Sequence, residues 1–265
     1  MPKTASPPEI LILSRPRFDN SHRLFLKRLD ASWEFSPDAT EAERLIEFAG
    51  RVCYLAFGPK QHTKGTAAFI HKLIRHGHDS VLEHAVWSFL LTGVSRSFSH
   101  QMVRHRVGFS FSQLSQQYHD ESGFELVMPA DIDAIPGARA TLDRLGEAAR
   151  DAYTEITEEI RQTTHLASAE QRERLRAFRS LARSVLPNAT ETKLVVTANA
   201  RALRHFFKLR GTVEGDLEMR VVSALMLAAI APDAPSVFSD FTIETSAHDG
   251  SPILRLLPTD GRGEP

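Results

Sequence analysis

Cysteine is almost absent from this chain. One, Cys53, occurs in 265 residues, which excludes an intrachain disulfide framework and any cage of cysteine ligands around a metal. Its surroundings, Arg51-Val52-Cys53-Tyr54-Leu55, are mostly apolar, so a small buried residue is expected there rather than a nucleophile. An excess of one charge is missing too. Lys and Arg number 32 against 33 Asp and Glu, a net charge of -1. That balance gives no global attraction to nucleic acid or to an anionic membrane, and any anion site must be local. Basic and aromatic residues do not interleave as in a nucleic-acid-binding module. No apolar run approaches the roughly 20 residues of a membrane helix. The opening residues, Met1 to Pro8, lack the apolar core of a signal peptide. They read as a disordered lead, and a cytoplasmic location is expected. Internal repeats, low-complexity linkers and breaks in composition are also lacking, which points to one α/β or α+β domain.

The elements that are present alternate in period. Glu9 to Leu13 is a short apolar run suited to a buried strand. Asp38 to Arg51 has helical spacing, with Ala42, Leu45, Ile46 and Ala49 on the inward face. Gly58-Pro59-Lys60 marks a turn. Thr66 to His76 reads as a helix with Phe69, Ile70, Leu73 and Ile74 inward, ended by Gly77. Ala85 to Val94 suits a strand. Arg96 to Arg106 returns to helix, with Val107-Gly108-Phe109 as loop. Leu142 to Leu186 is a long helical region with a charged, solvated face and a break near Ser168-Ala169-Glu170. Lys193 to Thr197 is strand-like and Asn199 to Leu209 helical. Gly215 to Ile230 is a last helix, with Val221, Leu225 and Ala228 inward, and the tail after Asp249 is expected to fray.

Chemistry concentrates in four patches. Arg104-His105-Arg106 is followed by Ser110-Phe111-Ser112-Gln113-Leu114-Ser115-Gln116-Gln117-Tyr118. Guanidinium groups match phosphate and carboxylate oxygens, so this run reads as a site for an anionic ligand rich in hydrogen-bonding groups, such as a nucleotide. At a helix end, the same cations would also suit the helix dipole. Gly77-His78-Asp79-Ser80-Val81-Leu82-Glu83-His84 gathers imidazoles, carboxylates and a hydroxyl. Loop contact with a ligand is one reading. Metal ligation by His76, His78, Glu83 and His84 is the other, although the spacing matches no zinc motif. Arg183-Ser184-Val185-Leu186-Pro187 and the stretch Asn199 to Arg210 complete the set. Arg210 follows an apolar run and reads either as a snorkelling cation or as the fixed cation of a pocket.

These patches occur in the order and approximate spacing of the flavin-dependent thymidylate synthases, and from about Cys53 to about Arg220 the chain resembles that family. The resemblance implies the thymidylate synthase-complementing fold, a central mixed sheet flanked by long helices. It implies a methylase domain over residues 9–245, after a lead of 1–8 and before a tail of 246–265. It further implies a homotetramer with FAD sites shared between subunits. The activity is methylation of C5 of dUMP, with methylenetetrahydrofolate as one-carbon donor and NADPH as reductant. On this likeness Ser80, Arg104, His105, Arg106, Gln113, Asn199, Arg201 and His205 contact FAD, with His78 and Glu83 in the pocket near the flavin. Gln101, Arg104, Gln113, Leu114, Ser115, Gln116, Gln117, Arg183 and Arg210 contact the nucleotide. Arg210 stands where the family's arginine polarises the pyrimidine ring, and Ser115 positions substrate. No metal and no cysteine nucleophile is required.

Three departures stand out. The loop between Arg106 and Ser115 is one residue longer than the family pattern, near Phe109. Gln117 replaces the family's phosphate-binding arginine and cannot supply its charge. Gly215-Asp216-Leu217-Glu218-Met219-Arg220 stands where the family has Ala-Gln-x-Glu-Ile-Arg. The first two bear on the nucleotide and leave UMP open as a substrate beside dUMP. Two readings from other classes also stay open: an FAD- or nucleotide-binding protein without turnover, and a His-based metal hydrolase.

Overall fold

The computed structural model describes residues 3–61, 65–162 and 168–257. Its strands are β1 (Lys3–Thr4), β2 (Glu9–Ser14), β3 (Val86–Ser95), β4 (Phe109–Gln113), β5 (Glu125–Leu126), β6 (Glu191–Asn199), β7 (Phe241–Thr245) and β8 (Pro252–Leu256). Its helices are α1 (His22–Arg28), α2 (Glu41–Val52), α3 (Thr66–Arg75), α4 (Arg96–Met102), α5 (Ala130–Asp133), α6 (Pro136–Gln162), α7 (Ser168–Ala182), α8 (Ala200–Phe206), α9 (Leu217–Ile230) and α10 (Pro235–Phe238). The largest sheet has the order β2-β3-β6-β4. β1 pairs with β5 in parallel, and β7 with β8 antiparallel. The chain is of the mixed helix-and-sheet class. No helix among the described residues is long and apolar enough to cross a membrane.

The chain divides into two compact units, and each draws on several separate stretches of sequence. One comprises the residues up to Glu9, Leu91–Arg104 and Phe111–Val195; the other comprises Ile10–Leu90, His105–Ser110 and the residues from Val196 onward. A composition break marks neither, because each takes pieces from distant parts of the sequence.

In the first unit, Leu91, Val94, Met102 and Leu194 are fully buried. Phe124, Leu126 and Ala149 form a further cluster under α6. Residues 3–8 are not a disordered lead. β1 is paired, Ala5 N–H donates to Leu126 O at 2.8 Å, and a Cβ on Gly93 would lie 2.5 Å from the Ser6 and Pro7 carbonyls. Gly93 has φ of +66°, so its missing side chain serves both the backbone angle and the close crossing. The charged residues of α6, Asp151, Glu155, Glu158 and Glu159, are exposed as expected. The expected break near Ser168 adjoins residues 163–167, which lie outside the described residues, and α7 begins at Ser168.

In the second unit, α2 is closed by a capping box in which Thr40 and Glu43 exchange hydrogen bonds. Its inward face differs from the expected one. Ile46 and Ala42 are buried, but so are Glu43, Glu47 and Arg51, while Leu45 and Ala49 are only half-buried. Ion pairing and hydrogen bonds make that charged face compatible with burial. Cys53, expected inside, is exposed at the C-cap of α2, where its Sγ approaches Ala49 O at 3.4 Å. β2 is at an edge of its sheet, and Leu11 and Leu13 are exposed rather than buried. In α9 the inward residues are Val222, Met226, Leu227 and Ile230; Leu225 and Ala228 face out. That helix is apolar around most of its girth, so periodicity could not choose its face. The tail does not fray at Asp249 either. β8 pairs along β7, with Ile253 and Leu254 fully buried; residues 258–265 lie outside the described residues.

Candidate functional site

The helix expected to carry the Arg-His-Arg triplet stops early. Ser95 caps α4 by accepting from Phe98 N–H at 3.0 Å, and the helix ends at Met102. The chain then turns through Gly108, at φ of +74°, and enters β4 at Phe109, where loop was expected. A Cβ on Gly108 would lie 2.7 Å from Ala202 Cβ and Asn199 Nδ2. Glycine here lets the turn press against the start of α8. Asn199 caps that helix, its Oδ1 accepting from Ala202 N–H at 2.9 Å, and its own N–H donates to Gly108 O at 3.2 Å. The triplet is therefore split. Arg104 and Arg106 are exposed, while His105 is half-buried with its ring edge-on to Phe206 at 5.1 Å.

The helix expected from Asn199 to Leu209 also stops early. α8 ends at Phe206, and a π-helical turn spans Phe207–Gly211. Such turns insert a residue into the winding and often mark functional positions. Arg210 Nε donates to His105 Nε2 at 3.2 Å. Burial first, then the charges of Arg210 and His205, lower the pKa of His105 below its ordinary value. The imidazole is thereby held neutral, with Nε2 free of a proton to accept the arginine's bond.

The second unit contains a cavity of about 850 Å³, within the range of small-molecule sites. Asn199, Arg201, His205 and Glu83 line it, and Arg201 bonds Glu83 at 2.5 Å. Arg75, Asp79, Arg204, Lys208 and Asp240 add further charge that sequence reasoning did not assign. Four basic side chains face three acidic ones there, apart from His205. Ser80 and His78 are exposed neighbours of this wall and do not line it; Gly77 and Asp79 do.

The first unit contains a cavity of about 390 Å³. Arg96 and Arg183 bring positive charge, His100 an imidazole, Gln113, Gln116 and Asn188 bring amides, and Ser99 and Ser184 bring hydroxyls. The described lining holds no carboxylate. Gln113 Nε2 donates to Ser99 Oγ at 2.7 Å and to Thr192 Oγ1 at 3.3 Å, which fixes the amide. Arg96 donates to Leu114 O at 3.3 Å. Burial, and then Arg183, lower the Arg96 pKa against the pull of Glu121; so far above neutrality, the guanidinium stays charged. Ser115 Oγ accepts from Gln117 N–H at 3.3 Å and shapes the turn after β4. Gln101, Arg104, Leu114, Ser115 and Gln117 do not line this cavity, whereas Gln113, Gln116 and Arg183 do. Neither Arg96 nor His100 was assigned a role, although Val94-Ser95-Arg96 is one of the stretches that resemble the family; the two lie four residues apart on α4.

Among the described residues no three His, Cys, Asp or Glu side chains gather as a metal site would need. His76 and His78 have ring centroids 6.2 Å apart and stand as a pair. Among the described residues, His76, His78, Glu83 and His84 thus do not gather into the ligand set that the metal-hydrolase reading needs.

The larger cavity thus mixes four basic with three acidic side chains around one amide, while the smaller carries two arginines and three amides, a donor set that suits an anionic, polar ligand. The profile of the thymidylate synthase complementing protein family matches residues 37–236. The chain is 42% identical over 233 residues to a flavin-dependent thymidylate synthase of Mycobacterium avium, covering 86% of this chain and 90% of that one. It is 41% identical over 231 residues to the enzyme of that name from Mycobacteroides abscessus, with the same coverage. With its namesake from Mycolicibacterium gilvum the identity is 42% over 221 residues, 83% of this chain and 87% of the other. The chain belongs to the thymidylate synthase complementing protein family.

Proposed function

We propose that the protein is a flavin-dependent thymidylate synthase that methylates C5 of dUMP, with methylenetetrahydrofolate as one-carbon donor and NADPH as reductant. The observation that carries this reading is the pairing of family membership with two cavities whose donors suit the two ligands. Asn199, Arg201, His205 and Glu83 line a space large enough for a dinucleotide. FAD bound there would supply the electrons for the reduction. Gln113, Gln116, Arg183, Arg96 and His100 line a smaller space suited to a nucleotide's phosphate and polar ring. Arg96 and Arg183 supply positive charge that Gln117 does not. Arg210, held by His105 and lining neither cavity of its own chain, would be brought to the pyrimidine of another copy, where its charge would stabilise the anion left by loss of the N3 proton and so raise electron density at C5. A homotetramer is part of the proposal. Copies of the chain bring the remaining assigned residues, Ser80, Arg104, Arg106, Gln101, Leu114, Ser115 and Gln117, to shared sites.

The test is the visible spectrum of the purified protein. It should be yellow, bleach with NADPH, and regain colour on addition of dUMP and methylenetetrahydrofolate, with methylated nucleotide formed. NADPH oxidation without any methylated nucleotide would favour a binding protein without turnover. A colourless, zinc-loaded protein would favour the hydrolase.

UMP is the second substrate reading, favoured by Gln117 and by the extra residue near Phe109 in the stretch between Arg106 and Ser115. The name of the mycobacterial relatives, thymidylate synthase, supports the dUMP reading. We expect kcat/KM for dUMP to exceed that for UMP by about a hundredfold or more. A ratio near or below one would show that the altered loop admits a 2′-hydroxyl.

A further inference from the structure

The family match stops at residue 236, and the chain then builds the β7–β8 hairpin. This hairpin is firmly anchored. Arg255 bonds Glu214 at 2.6 Å, Ser246 Oγ donates to the same carboxylate at 2.9 Å, and the fully buried Arg220 of α9 bonds Asp249 in the hairpin turn. A Cβ on Gly211, the residue after Arg210, would lie 2.5 Å from Leu254 Cδ1. The hairpin thus backs the π turn directly.

Its end reaches the larger cavity. Leu256 and Leu257 line that space with 41% and 46% of their surface exposed. Leu257 N–H donates to Asp240 O at 2.8 Å. The Asp240 carboxylate accepts both prongs of Arg204, at 2.6 and 2.7 Å. Arg204 sits on α8 between Arg201 and His205, and its guanidinium also bonds Val237 O and covers Phe241. The clamp therefore ties the end of the hairpin to the helix that carries the cavity's polar contacts. Two open leucines in a charged cavity have no hydrogen bond to offer a phosphate or sugar; they gain only by covering apolar area.

We propose that the C-terminal hairpin is a retaining wall for the cofactor, in which Leu256 and Leu257 pack against an aromatic ring of the flavin dinucleotide. The inference rests on the reading that this cavity binds FAD. Asp240 and Arg204 are positioning residues, and the two leucines make the contact.

Leu257→Asp and Leu256→Ala, each in the full chain, test it. Kd and the release rate of FAD are read from the change in flavin fluorescence on binding, beside the thermal midpoint. Leu257→Asp should weaken FAD about tenfold and speed its release, and Leu256→Ala should weaken it about threefold or more, the scale of one apolar side chain's burial. Both side chains are exposed, so the thermal midpoint should stay near that of the wild type. FAD affinity within about twofold of wild type in both variants overturns the wall, whether or not the midpoint falls. Wild-type protein that takes up no FAD overturns the functional reading itself, and the wall with it.

Discussion

Replacing Arg210 with lysine is expected to lower kcat by about 10²–10³, or about 2.7–4 kcal/mol of transition-state stabilisation, with little change in FAD affinity. The reason is geometric. Arg210 lies in a π turn and commits its Nε to His105 Nε2 at 3.2 Å, which helps to orient its planar fork. Lysine keeps the charge and loses the fork, so it cannot both hold His105 and present fixed donors to a ring. Steady-state kinetics with a parallel FAD titration measure it. A Lys variant with near-normal kcat would remove Arg210 from the chemistry. The same pair predicts a pH limb. The pKa of His105 is lowered by burial first, then by Arg210 and His205. Its neutral form therefore persists below the usual histidine value of about 6.5. Above that value its contribution to the fold is complete; it is lost as pH falls through the depressed folded value, because the unfolded chain takes up the proton first. Activity should fall over the same range as the acceptor disappears and a second positive charge arises beside Arg210. His105→Gln should move that acid limb; an unmoved limb would assign it to another group.

Arg51→Met is expected to destabilise the protein by about 3–5 kcal/mol. Arg51 and Glu47 are both buried on α2, with Arg51 Nε and Nη2 on Glu47 Oε1 at 2.7 and 2.6 Å. Arg51 also donates to Ala56 O at 3.3 Å and lies 4.5 Å over the Phe69 ring. Removing it strands a carboxylate that is fully out of water. The double variant Glu47→Leu/Arg51→Met should recover most of the loss, because removing both charges also removes their desolvation cost. Urea unfolding reads both. A single variant within about 0.5 kcal/mol of wild type would show that Glu47 finds another partner or water.

Local pattern and burial part company in particular elements. Thr66 to Arg75 and Val86 to Ser95 form the helix and strand that their periodicity announces. α2 does not bury its expected face, because Glu43 accepts from Ser236 N–H at 2.7 Å and Arg51 pairs with Glu47. Those partners make charge acceptable inside, and a hydrophobicity pattern cannot foresee them. Cys53 was misplaced for the converse reason: apolar neighbours in sequence did not supply apolar neighbours in space. The tail was read from its Gly, Pro and Asp, yet it holds Ile253, Leu254, Leu256 and Leu257, and the first two are buried because β7 offers a strand to pair with and Gly211 a gap to fill.

The sequence alone determined the chemical repertoire and the family. Paired guanidinium groups, the amide run after them and the order of the four patches are local properties of residue type and spacing. Tertiary structure alone decided which of those groups share a space. Gln113 and Arg183 line one cavity, Glu83 bonds Arg201, and His105 accepts from Arg210. Each partnership spans a long stretch of chain, and its distance is set by strand order and by where α4 and α8 stop. A helix that ended four residues later would turn the same arginine elsewhere, since each residue rotates the side chain by about 100°.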